Sequence, residues 1–235
     1  MVISDALRLL SEKYMSIGEP NEVSDRQINR RVRSLADELG ATIRYKNESK
    51  FMRGLAKVLF FAPRFNTDTA TTIGKTIWLP SREWARDDRR CWMVLAHELV
   101  HVTDAIRVSG ALFALSYLFP QCLALLAPLA LIPGCGWFLA CLAFLAPIPS
   151  PTRAHWELRG YGISLACLYW RKIPTVGPKY IIERHFVGPT YYYMWPFRRA
   201  VRNKMDRYRW MAAAGTLGRE IPIADALHKV VTQAK

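Results

Sequence analysis

Residues 97–101 read His-Glu-Leu-Val-His, and this run restricts the fold more than any other stretch of the chain. On a helix, two histidines four positions apart lie one turn above the other on a single face. Their imidazoles can then hold one metal ion between them. Glu98 sits about 100° further round, where its carboxylate could take a proton from a water on that ion. The preceding run, Arg89 to Ala96, contains neither Gly nor Pro and reads as helix, with Asp87 or Asp88 placed to cap its start. The bland alternative is an apolar helix that carries two histidines and makes no use of them.

What precedes the motif matters as much. Thr76-Ile77-Trp78-Leu79-Pro80 reads as a short strand stopped by proline, after a turn at Gly74-Lys75. A strand running into an HExxH helix resembles the zincin metallopeptidases, and the resemblance covers about residues 41–170. It implies an edge strand that holds extended peptide beside the metal, and a third protein ligand with a fourth position left for water. The block Glu157-Leu158-Arg159-Gly160-Tyr161 is similar to the second-helix glutamate pattern of gluzincin-type proteins. By that likeness His97, His101 and Glu157 would be the Zn²⁺ ligands. Gly160 would let the two ligand helices approach closely. Neither the metzincin pattern nor the NExxxD form of thermolysin-like enzymes is present.

Other residues compete for the third position. Asp104 shares the helical face of His97 and His101, although adjacent turns of one helix converge poorly on a tetrahedral ion. Orienting a histidine ring suits it better. His155 lies two residues before Glu157, so the two point about 200° apart on a helix and cannot both face the metal. Glu157 itself could simply pair with Arg153, four positions earlier.

Residues 108–152 contain no Asp, Glu, Lys or Arg. A transmembrane helix needs about 20 apolar residues; the block from Ala111 to Ile132 reaches that length, and the block from Trp137 to Ile148 does not. If Glu157 shares a metal with His97 and His101, both ends of this insert lie on one side of any membrane. That leaves a helical hairpin dipping into a membrane or packed against protein, with Arg107 and Arg153 as charged flanks. Six prolines between 120 and 151 weigh against two regular spans.

The formal charge of +14 favours an acidic partner, and much of it falls in Arg198, Arg199, Arg202, Lys204, Arg207 and Arg209. Anionic lipid contact through 198–209 and a solvated basic helix are the two readings. No DNA- or RNA-binding motif accompanies the charge, which makes nucleic acid the weaker partner. Five cysteines (91, 122, 135, 141 and 167) are odd in number and lack CxxC spacing. They suit a reducing compartment rather than a disulfide frame. Met1 to Leu10 shows no signal peptide, so the expected location is the cytoplasmic side, with membrane association through the insert.

The remaining segments read as support. A helix is expected near 4–16, then a capping box at Ser24-Asp25-Arg26-Gln27 opens a helix to about Leu39, stopped by Gly40. Ala41 to Lys46 alternates like a strand, Phe51 to Phe60 reads as helix, and 66–79 reads as a β-hairpin. The expected fold is therefore α+β. It comprises a zincin-like core over 1–172 with the inserted hairpin at 108–152, and an aromatic-rich segment with basic helices over 173–235 packed on the same domain. Zincins often stabilise the oxyanion with a later His or Tyr, and here His185, Tyr191, Tyr192 and Tyr193 qualify, His185 first. The bland reading of these tyrosines is a packed aromatic patch. His228 has no visible partner and is given no role.

The reading that follows is zinc-dependent hydrolysis of peptide bonds in a peptide or protein substrate, with Glu98 as general base. Two readings from other classes stand beside it. One is a structural or membrane-associated component, such as a part of a phage particle, with a zincin-like fold and no essential proteolysis. The other is nucleic-acid binding through 198–209.

Overall fold

A computed structural model describes residues 23–58, 65–174, 182–183, 185–188 and 193–233. The expected helix near 4–16, the segment 59–60 and residues Tyr191 and Tyr192 lie outside these. The described chain is mostly helical, with one small mixed sheet. The α+β class therefore holds, and its secondary structure forms where local signals are strongest.

Helix α1 (Asp25–Glu38) starts at the expected capping box: Ser24 accepts from the Gln27 amide, and the Gln27 side chain accepts from the Ser24 amide. It stops at Gly40, whose φ of 67° favours glycine. Strand β1 (Thr42–Tyr45) follows, then helix α2 (Lys50–Val58). Strands β2 (Thr71–Ile73) and β3 (Thr76–Leu79) form the expected hairpin, turning at Gly74 with φ 59°. The strand order is β1-β3-β2, with β1 parallel and β2 antiparallel to β3. The strand read at 76–80 is thus central and paired on both sides. The edge strand that meets the HExxH helix is β2 instead.

Helix α3 (Asp88–Val108) carries the motif and is capped by Asp87, which accepts from the Arg90 amide at 3.0 Å. Trp92, Leu95, Ala96 and Leu99 are fully buried, so this helix is the axis of the core. Helix α1 locks onto it through Asp25, which accepts from Arg89 at 2.7 Å and from the Trp92 indole at 2.9 Å.

At Ser109 the chain bends by 116° into helix α4 (Gly110–Leu118). Two 3-10 stretches follow, Gln121–Leu131 and Gly136–Leu145, and they pack against each other as a hairpin. An apolar run with no helical periodicity and repeated prolines does not sustain long α-helix. Among the described residues, no single helix is long and apolar enough to cross a membrane.

Helix α5 (Pro151–Trp170) packs between α3 and helix α6 (Arg198–Ala213), and helix α7 (Ala224–Thr232) closes the far side. Two glycines on opposite faces of α5 allow this. A Cβ on Gly160 would lie 2.6 Å from the His97 ring, and one on Gly162 would lie 2.7 Å from the Tyr208 ring. One hydrophobic core runs from Val23 to Val231, and described residues beyond 173, among them Phe186, Met205 and Leu227, share it with the motif helix.

A buried ion pair fixes α3 against α5. Arg159 donates to both carboxylate oxygens of Asp104, at 2.8 and 2.6 Å, and to the Glu220 carbonyl at 2.6 Å. Removing one partner would strand a charge in the core. Asp104→Ala is therefore expected to cost about 3–5 kcal/mol of unfolding free energy. Denaturant midpoints measure this, and a loss below about 1 kcal/mol would show that the pair does not hold the two helices together.

Candidate metal centre

Helical spacing places His97 and His101 one turn apart on α3, and Gly160 brings α5 close enough for Glu157 to meet them. Their ligating atoms form a compact triangle. His97 Nε2 and His101 Nε2 are 3.2 Å apart; Glu157 Oε2 lies 3.5 Å from the first, and Glu157 Oε1 lies 3.7 Å from the second. Four ligands around an ion at about 2.1 Å stand roughly 3.4 Å from one another, and spacings of this order suit an ion held among the three side chains. All three side chains are buried.

The electrostatics of the trio favour a cation. Burial pushes the Glu157 carboxyl up, but hydrogen bonding and charge from His97 and His101, with the Tyr117 hydroxyl, outweigh it and bring the pKa down to about 2. Burial opposes charge on His97 too, yet Glu157 and Glu98 hold its pKa above the usual value. Burial also lowers His101, helped by the charge on His97 and resisted by Glu157. One buried carboxylate thus faces two imidazoles that cannot both charge easily. Glu157 Oε2 has only the long 3.5 Å approach of the His97 ring as a polar neighbour among the described residues. An ion coordinated by this oxygen and both Nε2 atoms would satisfy all three.

The other residues singled out from the sequence fall elsewhere. Glu98 is buried beside the trio, and its Oε2 accepts from the Thr72 hydroxyl at 2.7 Å, tying it to the edge strand β2. Asp104 neither joins the cluster nor orients a histidine ring, because Arg159 engages both of its oxygens. His155 is exposed and sits edge-on to Trp156. Arg153 does not pair with Glu157; it donates to the Tyr117 carbonyl and to Gln121. His185 is buried and next to Phe186, whose ring meets Tyr161 at 5.4 Å. Tyr161 in turn meets the His97 ring at 4.8 Å, and His185 is outside the ligand trio. Tyr193 is exposed, and His228 packs against Trp170.

Three contributors were not legible in the sequence. Tyr117, inside the charge-free insert, donates its hydroxyl to Glu157 Oε1 at 2.5 Å. Phe113, one turn earlier on α4, lies 5.9 Å from the His101 ring. The bend at Ser109 therefore folds the start of the insert over the centre. The third is Lys46, fully buried, whose ammonium donates to Phe65 O, Thr69 and Thr71. Burial pushes Lys46 down to about 7, against the attraction of Glu98. Its bond to Thr71 anchors β2 one residue from the Thr72 that holds Glu98. A lone phenol in an uncharged block was the one available signal for Tyr117; a Thr in a three-residue strand offered none.

Two substitutions probe the geometry. Gly160→Ala forces the His97 ring to move, and Tyr117→Phe removes the hydroxyl from Glu157. Each is expected to weaken divalent-metal affinity roughly 10–100-fold, as changes to groups that support a ligand generally do. Competition against a chelating dye reads the effect, and unchanged affinity in both variants would separate these contacts from metal binding.

Comparison of the chain with protein-family models, with curated proteins and with solved structures finds no match.

Proposed function

We propose that the chain is a zinc-dependent peptidase with a zincin-like core, its zinc held by His97, His101 and Glu157. The observation that carries this reading is the buried triangle of two imidazole nitrogens and one carboxylate with Glu98 alongside it. Two histidines and a carboxylate leave an open position for solvent, which is the donor set of catalytic rather than structural zinc. The same set also suits ferrous iron. Glu98 favours zinc, because hydrolysis needs a carboxylate base beside the metal.

When bound, the zinc would lower the pKa of a coordinated water toward about 7 and polarise a substrate carbonyl. Glu98 takes the proton of the attacking water and returns it to the leaving amine. Thr72 holds the Glu98 carboxylate by one oxygen and leaves the other available for this transfer. Because Thr72 sits on an edge strand, extended substrate can pair beside the base without displacing any strand. Tyr117 keeps Glu157 ionised and oriented. A late residue that steadies the oxyanion is assigned to His185, which is buried beside Phe186 in sequence.

The first test is elemental analysis of wild type and Glu157→Ala after exhaustive dialysis. One zinc per chain in the wild type and far less in the variant is expected; iron, or no metal after reconstitution, would overturn the reading. Glu98→Gln is expected to retain zinc while losing at least 100-fold in kcat on a cleaved peptide, the scale of general-base catalysis. Retained activity in that variant would remove Glu98 from the mechanism.

A further inference from the structure

We propose that the hairpin of residues 120–148 seats in one leaflet of a lipid bilayer, docking the protein on a membrane surface without crossing it. The proposal does not depend on the metal or on catalysis. It rests on what the hairpin exposes. Leu125 is 76 %, Leu131 89 %, Trp137 66 % and Leu139 59 % exposed, and no residue of Gly136–Leu145 is buried. A protein partner or a second copy of this chain would cover one face of such a hairpin. Apolar side chains directed outward from both strands of it fit a solvent that surrounds them.

Three further features select lipid. Interfaces between proteins carry a polar rim, whereas no charged residue occurs anywhere from 108 to 152. In hydrocarbon every backbone polar group must be satisfied internally, and both stretches are helical. Length sets the depth. At about 2.0 Å per residue a 3-10 stretch of this size extends roughly 20 Å, too short for a hydrocarbon core of about 30 Å.

The polar groups of the insert gather at its base. Ser150 donates to the Phe119 carbonyl, Gln121 donates to the Ile148 carbonyl at 3.2 Å, and Arg153 donates to Gln121 at 3.1 Å. This belt marks where the chain enters and leaves the apolar phase, with the Arg153 guanidinium at the headgroup level. The two roots are held on one side of the bilayer, because α3 before the hairpin and α5 after it pack together at Gly160. A re-entrant, one-sided insertion is the topology this allows.

Flotation of the full-length protein, reconstituted from detergent into vesicles of phosphatidylcholine with and without 30 % phosphatidylglycerol, tests the proposal. The wild type is expected to float with both vesicles and to stay bound in 0.5 M salt. The triple variant Leu125→Asp, Leu131→Asp, Trp137→Asp is expected to lose at least tenfold in the bound fraction while keeping its circular dichroism and its metal content. Three results would overturn the proposal. One is a wild type that is monodisperse without detergent and stays at the bottom. Another is binding that needs the anionic lipid and washes off in salt, which assigns docking to the basic helix α6. The third is a wild-type oligomer that the triple variant dissolves into monomers, which assigns the hairpin to a second copy. Metal content measured on the same samples separates failure of this proposal from failure of the peptidase reading.

Discussion

The close approach of α3 and α5 brings His97, His101 and Glu157 together, and that approach is set by Gly160. Its missing Cβ is the space occupied by the His97 ring. Much else in the structure follows from this contact. Helix α5 must arrive at α3 at the right height for Glu157 to face both imidazoles, and the Arg159–Asp104 pair ties the same two helices about one turn further along α3. Gly162 then repeats the device toward Tyr208, so α5 is clasped on two faces by aromatic rings. A side chain at Gly160 would push α5 off α3 and part Glu157 from the histidines, whereas one at Gly162 would push α5 off Tyr208.

Burying a carboxylate and two imidazoles is expensive unless each is matched. The chain meets the expense by coupling the groups to one another and to Tyr117, so that the carboxylate stays ionised in an environment that would otherwise protonate it. Glu98 is treated differently: a strand hydroxyl holds one oxygen, and Lys46 braces that strand without touching the carboxylate. Two buried glutamates within one helical turn's reach of the same histidines thus have separate support. One faces the two histidines and the other faces the edge strand.

Much of this was legible in the sequence, for identifiable reasons. Helix ends were legible because capping is local chemistry: Ser24 with Gln27, Asp87 with Arg90, and Gly40 at a positive φ are each decided within four residues. The spacing of His97 and His101 was legible because helical periodicity is fixed. Glu157 was legible through its likeness to a known pattern. Strand order was not, since the pairing of β1 with β3 brings together segments separated by helix α2. Tyr117 was hidden because its role depends on the direction of the bend at Ser109, which the Ser109-Gly110 pair does not specify. Asp104 was misjudged as a partner of histidine because its true partner, Arg159, lies on another helix. The apolar insert showed where regular helix would fail, at its prolines, but not that 3-10 structure would replace it.

Tyr117 and Phe113 tie the insert to the centre, and this bears on how the protein can be shortened. Excising the whole charge-free stretch to gain solubility would strip two aromatic side chains from over the His97, His101 and Glu157 cluster. A cut confined to the hairpin beyond Pro120, rejoined before Ser150, would spare them. The insert is therefore two modules joined end to end, a lid that belongs to the core and a projecting arm that does not.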